Sequence, residues 1–328
     1  MVPPPRGRQR DSGDGQVVGD LVTRARDGDP RAVARLISLV EDESSLLRQV
    51  TAALAPHTGR ARIIGITGAP GVGKSTSTSA LVHELRRAGQ RVGVLAVDPS
   101  SPFSGGALLG DRVRMQDHAL DRDVYIRSMA SRGHLGGLAW STPQAIRVLD
   151  AAGCDVVLIE TVGVGQSEVE IAGLADTTLV LLAPGMGDGI QAAKAGILEI
   201  GDVYVINKAD RDGADTLRRD LRSMLALAER SEGGWRPPIV KTVASKAEGL
   251  DEVVAEIDRH HDWLASSGEL AVRRTRRARE EIEAIAVTAL RARWGDVHGR
   301  SELDDLAQQV AAGESDPYAA AETLLAEL

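Results

Sequence analysis

Gly65-Ile66-Thr67-Gly68-Ala69-Pro70-Gly71-Val72-Gly73-Lys74-Ser75 is the stretch whose reading decides the fold. Gly68, Gly73, Lys74 and Ser75 satisfy G-x-x-x-x-G-K-[ST], the pattern of a phosphate-holding P-loop. A phosphate needs several backbone N–H donors converging on it, and a glycine-rich turn lets the backbone come that close. A helix opening at the end of the loop adds its positive terminus. The run from Gly68 through Ala69, Pro70, Gly71 and Val72 to Gly73, Lys74, Ser75 and Thr76 is therefore the candidate nucleotide cradle. Lys74 is suited to the β- and γ-phosphates, and the Ser75 hydroxyl to Mg2+.

The flanks supply the context that the pattern requires. Arg62-Ile63-Ile64-Gly65-Ile66 reads as a short buried strand, and Leu81, Leu85 and Ala88 recur at helical spacing before Gly89. Further out, apolar β-branched runs alternate with helical patterns. Strands are expected at 91–97, 124–129, 156–159, 178–182, 203–206 and 239–243. That alternation implies an α/β fold, a P-loop NTPase whose mostly parallel sheet is covered by helices on both faces. Helical extensions are expected on either side. Residues 1–16 read as a tail without structure, 17–58 as an N-terminal helical extension, 59–249 as the nucleotide domain and 250–328 as C-terminal helices.

In such sheets ligands sit at the carboxyl ends of the strands. The polar residues that follow strand ends are therefore the candidates. Asn207-Lys208-Ala209-Asp210 directly follows a strand and matches N-K-x-D, the guanine-reading element of GTPases. The Asp210 carboxylate can accept two hydrogen bonds from guanine N1–H and the 2-amino group, a donor pair that adenine lacks. Ser245 and Lys246, after the last strand, stand where a loop assists base recognition. GTP and GDP are therefore the expected nucleotides.

Glu160-Thr161-Val162-Gly163 stands in the position of a D-x-x-G element. Glu160 can hold Mg2+ through a water, and the Gly163 N–H can meet the γ-phosphate. A Gln directly after this glycine would orient the attacking water, but the position is Val164. Slow turnover without a partner is the expectation. Asp98, at a strand end, and Asp111, in a Gly- and Ser-rich stretch, are the remaining acidic candidates. Residues 183–191 carry three glycines and an acid before Lys194, a composition suited to a nucleotide-dependent switch.

Composition excludes several other classes. The 328 residues carry a net charge of −8, which argues against non-specific nucleic-acid binding. One cysteine, Cys154, rules out an internal disulfide and any CxxC metal site, and its apolar setting points to a buried thiol. The seven histidines lack metal-ligand spacing. No apolar run approaches the ~20 residues of a membrane span and the N-terminus lacks a signal-peptide core, so a cytoplasmic location is expected. The Arg273–Arg279 charge run before Glu280, Glu281 and Glu283 reads as a solvated helix face or an intersubunit arm.

With these pieces assembled, the chain resembles the MeaB/ArgK/MMAA family of P-loop GTPases, chaperones of adenosylcobalamin-dependent methylmalonyl-CoA mutase. The resemblance runs through residues 68–76, Val-Asp-Pro-Ser-Ser (97–101), Gly-Asp-Arg-Val-Arg-Met (110–115), Glu-Thr-Val-Gly-Val-Gly-Gln-Ser-Glu (160–168), Pro-Gly-Met-Gly-Asp (184–188) and 207–210. It implies that Asp98, Asp111 and Glu160 surround Mg2+ and the γ-phosphate. It also implies that 184–194, with Lys194, forms a further switch toward the mutase, and that 250–328 is a homodimerisation arm. Two other classes remain open. A metal-delivery GTPase would need Cys or His ligands near the switches, and a small-molecule phosphotransferase linked to arginine transport would need an acceptor site.

Overall fold

The computed structural model describes residues 8–42, 44–99, 118, 120–131, 141–161, 167–185, 199–227, 233–294 and 301–326. Within them a seven-stranded sheet runs in the order β3-β2-β4-β1-β5-β6-β7. Its strands are β1 (Arg62–Thr67), β2 (Val92–Pro99), β3 (Val124–Ser131), β4 (Val156–Thr161), β5 (Thr177–Leu182), β6 (Val203–Ile206) and β7 (Ile239–Lys241). Every neighbouring pair is parallel. The fold is therefore α/β with a parallel sheet, as the alternating pattern implied.

The period of two along each strand divides the core into two layers. Ile63, Leu95, Val97, Val157 and Ile159 face one side. There they pack with α1 (Arg8–Arg26), α2 (Pro30–Glu41), α3 (Leu47–Leu54), α5 (Thr142–Ala151) and α6 (Ser167–Leu174). Ile64, Ile66, Val92, Val94, Val156 and Leu158 face the other, against α4 (Lys74–Arg87) and α8 (Leu250–Ser267). A third, smaller cluster joins Val180, Leu182 and Tyr204 to Leu221 of α7 (Ala214–Leu227). Strands covered on both faces need no polar alternation, which is why they read as continuous apolar runs.

Local chemistry sets several boundaries. Asp29 caps α2 by accepting from the Arg31 N–H at 2.9 Å, and Pro30 suits the first turn. Asp150 accepts from the Arg60 and Ala61 N–H groups, tying the segment before β1 to the end of α5. Cys154 is buried, and burial pushes its thiol up to about 12, so it stays protonated at physiological pH.

The chain divides into two compact units between Arg273 and Arg274. Helix α1 begins at Arg8, inside the stretch read from sequence as a tail. Helix α8, read from sequence as the start of the C-terminal helices, buries Leu250, Val253, Ile257, His260 and Leu264 against the sheet layer. Helix α9 (Glu269–Trp294) crosses the division. In the second unit α10 (Ser301–Ala311) and α11 (Pro317–Ala326) pack on each other, with Ala320 and Leu324 buried. Ile282, Ile285, Val287 and Leu290 of α9 are 40–68% exposed. Among the described residues no helix is long and apolar enough to cross a membrane.

Candidate functional site

The site is built at the carboxyl edge of the sheet, where β1 runs into the loop of residues 68–73 and then into α4. Two glycines are imposed by close approach. Gly68 has φ +143° and a Cβ there would lie 2.3 Å from the Leu181 carbonyl oxygen. Gly73 has φ +97° and a Cβ would lie 2.4 Å from Asn207 Nδ2. Both positions reject any side chain, once for sterics and once for backbone conformation.

Lys74 folds back over the loop. Its buried Nζ donates to the carbonyl oxygen of Gly68 at 2.6 Å and of Ala69 at 3.2 Å. The Ser75 hydroxyl donates to Glu160 Oε1 at 2.6 Å. Glu160 lies near the carboxyl end of β4 and is 3% exposed. The parallel pairing of β4 with β1 sets Glu160 opposite Ile66, two residues before the loop begins.

The second motif closes onto the first. Asn207 follows β6 and is 3% exposed. Its Nδ2 donates to the Val72 carbonyl at 2.9 Å. Its Oδ1 accepts from the Ala244 N–H at 3.0 Å and from Thr242 Oγ1 at 3.3 Å. One side chain thus joins the glycine-rich loop, the N-K-x-D segment and the segment after β7. Lys208, held at φ +57°, reaches Gly71 O at 2.6 Å, and the Ala209 N–H donates to Thr242 O at 3.0 Å. Asp210 is about half exposed and pairs with Lys246 Nζ at 3.4 Å. Ser245 and Lys246 sit in a short 3-10 turn, Ala244–Lys246, both exposed.

Of the residues singled out from sequence, 68–76, Glu160, Asn207, Lys208, Asp210, Ser245 and Lys246 come together at this edge of the sheet. Asp98 is the penultimate residue of β2 at the same edge, opposite Ala130 of β3. Asp111, Gly163 and Lys194 lie outside the described residues. Two contributors escaped sequence reading. Thr242 and Thr78 bond to Asn207 and Glu160, and nothing in a spacing pattern marks a threonine for that role.

This arrangement defines a P-loop nucleotide-binding α/β protein with a guanine-type base element. Residues 33–296 match the family model described as "Methylmalonyl Co-A mutase-associated GTPase MeaB". A Pyrococcus abyssi protein provisionally named a GTPase is 48% identical over 314 residues, spanning 95% of this chain and 97% of that one. GTPase ArgK of Escherichia coli is 38% identical over 260 residues, 77% of this chain and 78% of ArgK. A solved structure titled "Crystal structure of LAO/AO transport system kinase" superposes with a TM-score of 0.73 at 28% identity, covering 94% and 96% of the two chains. The chain belongs to the MeaB family of GTPases.

Proposed function

We propose that this protein binds GTP with Mg2+, hydrolyses it to GDP and phosphate, and thereby gates cofactor loading, protection and reactivation of adenosylcobalamin-dependent methylmalonyl-CoA mutase. The observation that carries the nucleotide reading is Asn207, which holds the guanine-type element against the phosphate loop. A phosphate cradle alone serves many nucleotides, whereas Asp210 fixed beside that cradle selects guanine.

In this reading the backbone N–H groups of Gly68, Ala69, Pro70-flanked Gly71, Val72, Gly73, Lys74, Ser75 and Thr76 surround the phosphates. Lys74 exchanges two carbonyl acceptors for phosphate oxygens, a gain because the new partners are charged. Lys208, Ser245 and Lys246 flank the base, and the Gly163 N–H meets the γ-phosphate. The Ser75 hydroxyl and the Glu160 carboxylate are hard oxygen donors 2.6 Å apart, a pair that suits Mg2+. Asp98 and Asp111 join them in the proposal. Bound there, Mg2+ would neutralise charge on the transferred phosphoryl group.

The client assignment is supported by the family description. A mouse relative, 41% identical over 214 residues that span 64% of this chain and 52% of that one, bears the name "Methylmalonic aciduria type A homolog, mitochondrial". Lys194 and the segment around it are the proposed contact with the mutase. The exposed Ile282, Ile285 and Leu290 of α9 suit a homodimer contact. The proposed compartment is the cytoplasm.

Competition titration with a fluorescent GDP analogue tests the nucleotide step. GDP and GTP should displace it and ATP should not. Lys74→Ala should weaken binding by about thirty-fold or more, the size expected when a buried charged contact is truncated. Equal displacement by ATP, or unchanged affinity in the variant, contradicts the assignment. Transfer of phosphate from GTP to arginine would favour a phosphotransferase instead.

A further inference from the structure

We propose that Thr78 is a positioning residue for the metal-facing carboxylate, acting through Glu160; this rests on the GTP and Mg2+ reading above. Helix α4 opens at Lys74, and its buried face carries Lys74, Ser75, Ser77 and Thr78 before turning apolar at Leu81, Val82 and Leu85. Ser75 and Thr78 are three residues apart, so they lie one above the other on the same face. That face meets the end of β4.

Each oxygen of Glu160 receives one of the two hydroxyls. Oε1 lies 2.6 Å from Ser75 Oγ, and Oε2 lies 2.8 Å from Thr78 Oγ1. Thr78 is fully buried, at 0% exposure, where an aliphatic side chain would otherwise suit the layer. Its oxygen also lies 3.0 Å from the Lys74 carbonyl, but one hydroxyl hydrogen serves one acceptor at a time. The carbonyl is neutral and more distant, so the carboxylate takes the proton.

The two hydroxyls have different duties. Ser75 is the residue whose oxygen would turn to Mg2+. Thr78 has no such second task, so its bond to Oε2 holds the plane of the carboxylate whether or not the metal is bound. Gripping both oxygens from one helix fixes Glu160 relative to the loop that precedes that helix. A carboxylate so held meets the metal without first losing its own freedom of rotation. The effect belongs to metal affinity, not to the contacts that guanine and the phosphates make with the loop.

Thr78→Val removes the hydroxyl and keeps the shape, and Thr78→Ser keeps the hydroxyl. The readouts are release of a fluorescent GDP analogue as a function of Mg2+, Mn2+ uptake by the GDP complex followed by electron paramagnetic resonance, and GDP affinity in EDTA. For Thr78→Val the divalent cation needed for half-saturation should rise about tenfold, the size of one lost hydrogen bond to a charged group. Its GDP affinity in EDTA should match the unmodified protein, and Thr78→Ser should restore the cation dependence. An unchanged cation titration in Thr78→Val overturns the proposal. So does a matching fall in EDTA affinity, which would make Thr78 a packing residue of α4. Cation-independent nucleotide binding in the unmodified protein would instead overturn the Mg2+ reading on which the proposal rests.

Discussion

Asn207 Nδ2 donates a 2.9 Å hydrogen bond to the carbonyl oxygen of Val72, a residue 135 positions earlier in the chain. The same side chain accepts from the Ala244 N–H with its oxygen, so donor and acceptor ends are both engaged on opposite sides. A side-chain amide suits this position because it carries a donor and an acceptor on separate atoms of one planar group. Asn207→Ala should lower stability by about 2–3 kcal/mol, since it strands buried backbone partners. It should also weaken GDP binding about tenfold or more, because the loop and the base element would lose their buried tie and keep only the exposed Lys208 contact to Gly71 O. Denaturant unfolding and nucleotide titration of one preparation measure both, and a loss in neither would remove the staple.

Gly73 illustrates how tightly the loop is closed on that side chain. Gly73→Ala adds a Cβ 2.4 Å from Asn207 Nδ2 at φ +97°. Backbone strain of about 1–2 kcal/mol adds to the clash, so GDP affinity should fall at least tenfold. Isothermal titration calorimetry checks it, and wild-type affinity would mean that the loop relaxes freely.

Asp210 is about half exposed and pairs with the exposed Lys246 at 3.4 Å, a solvent-screened contact, so replacing it should perturb the fold little. Asp210→Asn should leave the melting temperature within about a degree or two of the parent. Its guanine preference should fall, with xanthosine nucleotides competing better, because Asn presents a donor where guanine also presents one. Unaltered base selectivity would remove Asp210 from the reading.

His260 controls stability from the opposite end of the sheet. It is fully buried, with Nδ1 2.8 Å from Thr177 Oγ1, Nε2 3.3 Å from Asp202 Oδ1 and Trp263 stacked on its ring. Burial lowers its pKa from 6.5 to about 4, against the pull of Asp202 and with a push from Arg273, which itself pairs with Asp202. The unfolded chain therefore takes up a proton that the native state refuses. Stability from this group is complete above pH 6.5 and is lost as pH falls toward 4. At pH 5 the loss should be about 2 kcal/mol. Denaturant unfolding from pH 7.5 to 4.5 should be steeper with pH in the unmodified protein than in His260→Gln. Equal slopes would show that the ring titrates normally.

The sheet was legible because its strands are buried on both faces and so appear as runs such as Val156-Val157-Leu158-Ile159. The loop of residues 68–73 was legible because its geometry leaves no alternative to glycine at 68 and 73. Other features were not. The spacing of Leu250, Val253, Ile257 and Leu264 announces an amphipathic helix but not the partner of its apolar face, and that face lies on the sheet layer. The tail reading of residues 1–16 rested on Pro, Gly, Arg and Asp content without apolar periodicity; Gly and Asp do lower helix propensity, but arginine is a good helix former, and α1 begins at Arg8. Thr78 and Thr242 serve the site through side-chain direction alone, and direction comes from the packing of elements distant in sequence.

The most direct measurement is GTP hydrolysis by the purified protein, alone and with methylmalonyl-CoA mutase. Val164 occupies the position where a glutamine would orient water, so the rate alone should be slow and should rise clearly with the mutase. A rate that the mutase leaves unchanged, with no co-elution of the two proteins in the GTP or GDP state, would contradict the chaperone account and leave a GTPase with a different client.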